Sequence, residues 1–291
     1  MIHIFKKPLF KKPEVFLEEL LRLYGDKPIQ DAKGDTLAHL CIQYEKYNFL
    51  PRLKTLLDIP NHAKVTPRQL LDYLDLSHNL IQDTQSSLAV YRTKEKRLDC
   101  FSDEEILKNF NFRYSDMLKF QKFSYLKWVN KECHKYLLAN EVRKQNHWKT
   151  HLYGINFTDK RVPKVYVKWI NPLVGYGLFA LEDIPSYTWI GEYTGVIRKR
   201  NRHLDQYNNY IFGYVVASAD TPFVIDAQNQ GNYTRFINHS DEPNLRSTWL
   251  VSDHIGHIIL VTQQKILKHT QLTYDYGMDY WKKRTAPFEL A

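Results

Sequence analysis

The sequence predicts an α+β chain in two parts, an all-α region over residues 1–150 and a mostly-β domain over residues 160–291. Three observations carry this. Apolar residues recur at helical spacing in the first half. Short β-branched and aromatic runs, separated by polar or glycine turns, fill the second. Regular spacing lapses between Asn146-His147-Trp148 and Pro163, where the boundary falls. With 43% hydrophobic and 14% aromatic residues among 291, both parts have the means to pack a core.

The first helix is predicted over Pro13-Glu14-Val15-Phe16-Leu17-Glu18-Glu19-Leu20-Leu21-Arg22-Leu23-Tyr24, with proline near its start and Gly25 just past its end. Gly34-Asp35-Thr36-Leu37-Ala38-His39-Leu40-Cys41 follows, and then an apolar series at Leu50, Leu53, Leu56 and Leu57. This stretch, near residues 31–80, resembles a degenerate ankyrin repeat, with Leu37 in place of the usual proline and a second Thr66-Pro67 thirty residues on. A plain helical hairpin accounts for it equally, since two repeats are fewer than a solenoid needs. Ser102-Asp103-Glu104-Glu105 ahead of Ile106-Leu107 is a capping-box pattern. Beyond it Met117, Phe120, Tyr125, Leu126, Val129, Cys133, Tyr136 and Leu137 predict an aromatic-rich core helix.

The β part opens with Val165-Tyr166-Val167-Lys168-Trp169-Ile170 and continues through Thr188-Trp189-Ile190-Gly191-Glu192-Tyr193, Asn209–Val216, Phe223-Val224-Ile225 and His257-Ile258-Ile259-Leu260-Val261. Between the last two lies Asn232-Tyr233-Thr234-Arg235-Phe236-Ile237-Asn238-His239-Ser240-Asp241-Glu242-Pro243-Asn244. So many amides and hydroxyls need partners if they are buried. Taken alone the run reads as an Asn/Ser-rich turn. Its company is Gly175-Tyr176-Gly177-Leu178-Phe179-Ala180 upstream and Leu272-Thr273-Tyr274-Asp275-Tyr276-Gly277 downstream. In that order the three stretches resemble the SET-domain family of protein lysine methyltransferases, over roughly residues 164–281.

The resemblance implies small curved sheets, with the Asn238-His239 segment threaded beneath the Tyr276 segment as a pseudoknot. It implies S-adenosylmethionine as cofactor, approached by the backbone of Gly175, Tyr176 and Gly177, with Tyr210 reaching its carboxylate, Asn238 near its amino-acid end and His239 at the adenine edge. Trp281 is expected to lie over the adenine or simply to pack on the sheet. Tyr193, Tyr274 and Tyr276 are the expected catalytic residues, lining an aromatic tube for a lysine stem, with Tyr276 orienting the methyl group and the amine. Tyr274 is expected to limit the product to mono- or dimethyl-lysine. A lysine amine has a pKa near 10.4, so freeing its lone pair at pH 7.4 costs roughly 4 kcal/mol. Desolvation and the sulfonium charge lower that barrier without a dedicated base.

Many relatives close the lysine channel with a cysteine-rich zinc segment, whereas here Gly277-Met278-Asp279-Tyr280-Trp281-Lys282-Lys283-Arg284 follows. Compact zinc-free SET proteins of this look resemble effectors of bacteria that live inside eukaryotic cells and act on host histones. The expected partner is accordingly a protein substrate, a histone first, with a non-histone protein equally open. No metal is expected: Cys41, Cys100 and Cys133 are far apart, and no cysteine lies near His239.

The net charge of +9 sits mainly upstream, with 26 Lys and Arg against 19 Asp and Glu in residues 1–150 and 15 against 13 in the remainder. Nucleic acid or a nucleosome is therefore a second candidate partner of the helical region, beside an ordinary solvated surface. No run of eighteen apolar residues and no signal-peptide core occurs, so no membrane partner is expected, and nucleus or cytoplasm stay open. The competing reading is a catalytically idle SET scaffold whose helices recruit a partner; intact Tyr193, Asn238, His239 and Tyr276 speak for catalysis. The helical region is expected to select the substrate, and a fragment beginning near residue 155 to keep cofactor binding.

Overall fold

The computed structural model describes residues 13–76, 87–159 and 163–281. The chain forms two compact units, one of Met1–Asp83 with Lys119–Ser124, the other of Thr84–Leu118 with Tyr125–Ala291.

In the first unit α1 (Pro13–Tyr24) buries Leu17, Leu20 and Leu21, three positions one helical turn apart. Helices α2 (Leu37–Gln43) and α3 (Pro67–Tyr73) each begin at a threonine cap. At the first, Thr36 N–H donates to His39 Nδ1 (3.0 Å) and the opposite ring nitrogen donates to Val65 O (2.9 Å). Burial holds the pKa of His39 below its ordinary value, as suits a neutral ring that accepts at Nδ1. At the second, Thr66 and Gln69 exchange hydrogen bonds of 2.9 and 3.2 Å. Asn61 Nδ2 donates to Asp35 Oδ1 (2.8 Å), tying one turn to the other. The stretch expected to resemble ankyrin thus holds two capped turn-helix segments thirty residues apart. Leu50, Leu53, Leu56 and Leu57 between them are buried, but within or just after two 3-10 turns rather than in a long helix, with Pro51 inside the first. Residues 77–80 of that stretch lie outside the described residues. A two-residue strand, Lys119–Phe120, also falls in this unit.

The second unit opens with a hairpin, β1 (Ser87–Arg92) and β2 (Arg97–Ser102), in a stretch expected to be helical. Leu88 and Val90 alternate with more exposed neighbours, the period of a strand. Strand β1 pairs in parallel with β3 (Val165–Asn171), Val90 beside Val167, and β3 pairs antiparallel with β4 (Gly175–Ala180), giving a sheet of order β2-β1-β3-β4. Helix α4 (Asp103–Phe110) starts at the expected capping box, with Ser102 N–H on the Glu105 carboxylate at 2.9 Å, and ends at Asn111 in the left-handed region (φ 55°).

The predicted core helix is α5 (Phe123–Leu137); Leu126, Val129 and Cys133 line its buried face, while Met117 and Phe120 precede it. The region where periodicity lapses is itself a helix, α6 (Asn140–Asp159). Tyr153 is buried while Trp148, Leu152 and Ile155 are exposed, so apolar residues on more than one face erase the period.

Downstream lie β5 (Trp189–Glu192), β6 (Val196–Lys199), α7 (Arg202–Asp205), β7 (Ile211–Val216), β8 (Ala219–Asp226), β9 (Asn238–His239), β10 (Leu245–Ser252), β11 (Ile255–Thr262), β12 (Thr273–Tyr274) and α8 (Met278–Trp281). The fully buried β11 is flanked by β10 and β5, and β8 by β6 and β7. Strand β9 pairs in parallel with β12, Asn238 beside Thr273 and His239 beside Tyr274. That pairing brings the polar run against the last motif, thirty-five positions away in sequence.

Candidate active site

A row of aromatic rings runs through the second unit. Tyr193, just past β5, donates its backbone N–H to Ile258 O (2.8 Å) and its hydroxyl to Tyr210 O (3.1 Å), with its ring 5.1 Å from Phe212. Phe212 stacks on Tyr274 (5.8 Å, 17°), and Tyr274 lies 4.7 Å from Tyr276. Tyr276 meets Tyr280 edge-on at 4.7 Å and lies parallel to Trp281 at 6.2 Å. The Tyr276 hydroxyl donates to Ile237 O (2.8 Å), while the Tyr274 hydroxyl has no hydrogen-bond partner among the described residues. Burial pushes the phenols of Tyr193, Tyr274 and Tyr276 well above their ordinary pKa, so all three stay protonated at physiological pH.

The polar run finds its partners in backbone. Asn232 Nδ2 donates to Glu192 O (3.0 Å) while its oxygen accepts from Thr234 N–H and hydroxyl, and the Tyr233 hydroxyl donates to Ile190 O (2.7 Å). Asn244 bridges Gln271 O and Thr273 N–H. His239 Nδ1 accepts the Tyr276 N–H (3.2 Å), which leaves the proton on Nε2, 3.1 Å from Asp241 Oδ1. His239 therefore serves as a clasp between the polar run and the Tyr276 segment. Among the described residues no group of three or more His, Cys, Asp or Glu is placed to hold a metal ion.

Asn238 Nδ2 donates to Tyr176 O (3.1 Å), and its oxygen has no partner among the described residues. Gly175 has φ +79°, and nothing lies within 4 Å of where a side chain would start. A Cβ on Gly177 would sit 2.7 Å from Ile170 Cδ1, 3.0 Å from Gln271 Nε2 and 3.2 Å from Asn238 Nδ2. The glycine pair thus keeps one side open and lets Asn238 close on the other. An open backbone edge beside an unpartnered amide oxygen fits the ammonium end of an amino acid, so these residues suit the cofactor implied by the sequence. The Tyr176 ring turns away into the core, edge-on to Phe110 and Trp169 (5.0 Å each), and only its backbone faces Asn238.

Residues 175–277 match the SET domain. Curated relatives include the H3 lysine-9 specific histone-lysine N-methyltransferase SUVH5 of Arabidopsis thaliana, 37% identical over 109 residues, or 35% of this chain and 14% of that protein. Histone-lysine N-methyltransferase 2D of Homo sapiens is 34% identical over 36% of this chain and 2% of its own length. Histone-lysine N-methyltransferase trithorax of Drosophila virilis is 39% identical over 36% and 3% respectively. The chain therefore spans a small part of the relatives it matches. A solved structure of Arabidopsis thaliana SUVH6 in complex with SAM aligns with TM-score 0.39 and 26% identity over 46% of this chain and 32% of that one.

The SET-matching segment holds Gly175, Tyr176, Gly177, Tyr193, Tyr210, Asn238, His239, Tyr274 and Tyr276, with Trp281 just beyond it. Tyr193, Tyr274 and Tyr276 fall in one aromatic row, and Asn238 and His239 join it to the Gly175–Gly177 strand. Tyr210 enters through its carbonyl, on the Tyr193 hydroxyl. Trp281 packs edge-on to His239 (4.9 Å) as well as over Tyr276. From the sequence Arg235 is expected only to brace its strand, and Phe110 and Phe112 are not singled out. The Arg235 guanidinium lies 3.9 Å from the Tyr210 ring centroid and 4.1 Å from that of Phe112, while its Nε and one terminal nitrogen donate to Ala227 O (2.9 Å) and Gln228 O (3.1 Å). Burial holds the Arg235 pKa below its ordinary value. The available signal for Arg235 is that it is the one Lys or Arg in the Asn232–Asn244 run; nothing local marks Phe112.

Proposed function

We propose that the chain is an S-adenosylmethionine-dependent protein lysine N-methyltransferase, with residues 160–291 as its catalytic domain and a histone as its substrate. The observation that carries this reading is the aromatic row from Tyr193 through Tyr274 to Tyr276, joined at Asn238-His239 to the open Gly175–Gly177 backbone. Such a row accepts the aliphatic stem of lysine and holds its head by cation–π attraction. The parallel pairing of β9 with β12 supports the threaded arrangement the family has.

S-adenosylmethionine supplies a methyl group carried on a sulfonium. Gly175, Tyr176 and Gly177 would hold it through their backbone, the Asn238 oxygen would take its ammonium, and Tyr210, His239 and Trp281 would supply further contacts. Because the three tyrosines are held protonated, none of them is the base. A lysine ammonium desolvated among these rings would give up its proton to solvent, leaving the neutral amine that methyl transfer requires. With its own proton committed to Ile237 O, the Tyr276 oxygen keeps its lone pairs for the methyl group and amine. The unpartnered Tyr274 hydroxyl anchors a water that limits product to mono- or dimethyl-lysine.

Calorimetry of the full chain with S-adenosylmethionine and with its demethylated product tests the cofactor half of this reading. One site for each is expected. Absence of binding by both refutes it.

A further inference from the structure

The segment before α5 reaches the cofactor residues. Phe110, the last residue of α4, meets the Tyr176 ring edge-on at 5.0 Å and 82°. The left-handed turn at Asn111 then directs Phe112, 1% exposed, onto the Arg235 guanidinium. Tyr210 lies against the same guanidinium, so Phe112, Arg235 and Tyr210 form a stack. The segment is fixed in place: Arg113–Tyr114 pairs in parallel with Gln230–Gly231, Ser115 N–H donates to Gly231 O (2.8 Å), and the Thr194 hydroxyl donates to Ser115 O (2.7 Å).

We propose that Phe112, with Phe110, is a positioning residue of the cofactor site: the upstream segment fixes Arg235 against Tyr210 and the Tyr176 ring against the core, and so sets the affinity for S-adenosylmethionine. This rests on the cofactor reading above. The ring contacts of the two residues fall on Tyr176, on Phe236 and on the guanidinium that Tyr210 also meets, so the effect is read first in cofactor affinity. A core phenylalanine of no further consequence needs only volume, and leucine nearly supplies that. A guanidinium whose nitrogens point in-plane to two carbonyls has its faces left for aromatic rings, and a desolvated cation–π contact depends on the ring quadrupole, which leucine lacks. The inference also reverses an expectation from the sequence, because a fragment beginning near residue 155 lacks both phenylalanines and should lose cofactor affinity.

The test uses the full chain with Phe112→Leu, and with 3,4,5-trifluorophenylalanine placed site-specifically at position 112, which keeps the ring's shape and weakens its quadrupole. Calorimetry reads the S-adenosylmethionine Kd, and the thermal midpoint without cofactor reads any structural role. Phe112→Leu is expected to weaken binding about tenfold, and the fluorinated ring about threefold with the smaller fall in midpoint of the two. A fluorinated protein that binds like wild type overturns the proposal, as does a shift in midpoint with no change in Kd. If Phe112→Leu fails to fold, the fluorinated protein still decides. Failure of the wild-type chain to bind the cofactor refutes the methyltransferase reading itself, whereas wild-type binding with no dependence on the ring refutes this inference alone.

Discussion

Tyr276→Phe removes one oxygen from the centre of the aromatic row and leaves the ring among Tyr274, Tyr280 and Trp281. Two effects follow from the bond between the Tyr276 hydroxyl and Ile237 O, 2.8 Å long with Ile237 1% exposed. The carbonyl loses its side-chain donor in a buried place, which destabilises the fold by about 1–3 kcal/mol. The oriented oxygen is also lost from the reacting amine, and removing one preorganised polar group at a transition state lowers kcat by about 10²–10³. Cofactor affinity should change by less than about threefold, because Gly175–Gly177 and Asn238 are untouched and the His239 clasp uses the Tyr276 backbone N–H. The assay is a pair: calorimetry for the S-adenosylmethionine Kd, and transfer of a labelled methyl group to core histones under saturating cofactor. Retention of more than half the wild-type rate, or abolished cofactor binding, would refute the role given to Tyr276.

Tyr274→Phe should shift product toward higher methylation, since the unpartnered hydroxyl no longer anchors a water whose displacement costs up to about 2 kcal/mol; mass spectrometry of a saturated peptide reads it, and an unchanged product ratio counts against Tyr274. Gly177→Ala forces its new Cβ toward Ile170, Gln271 and Asn238 at 2.7–3.2 Å, so cofactor affinity should fall at least about tenfold as Asn238 moves; an unchanged Kd shows that Asn238 tolerates the displacement. Tyr193, Tyr233, Tyr274 and Tyr276 all have pKa values raised by burial. Below pH about 10 both folded and unfolded chains keep these protons, whereas above it only the unfolded chain releases them. Stability is therefore full below pH about 10 and lost as pH climbs toward the folded-state values, by about 5 kcal/mol at pH 11 for the four together. Urea midpoints measured from pH 8 to 11 check this, and a flat profile contradicts it.

The site's legibility differed from residue to residue. Gly177, Asn238, Tyr193, Tyr274 and Tyr276 could be singled out as candidates because each sits in a short motif whose residue types are constrained by close approach or by ring chemistry. The hairpin of residues 87–102 could not. Its strands are six residues long, its turn at Thr93-Lys94-Glu95-Lys96 has no glycine, and the strand that Val90 pairs with begins more than seventy residues away. Phe112 was invisible for the same reason, because only the fold brings it to Arg235. Helix α6 was hidden by its lack of amphipathy, with apolar Tyr153 buried and apolar Trp148 exposed on different faces. The capping box at Ser102 was read because capping is local.

Lysine methylation is tested most directly by incubating the full chain with S-adenosylmethionine labelled in its methyl group and with core histones or a whole-cell extract, followed by mass spectrometry of the labelled protein. The expected result is label on a lysine side-chain nitrogen, predominantly as mono- or dimethyl-lysine and absent with Tyr276→Phe. Cofactor binding with no label in any protein would contradict catalysis and favour the idle-scaffold reading; label on a residue other than lysine would contradict the assignment of the aromatic row as a lysine channel.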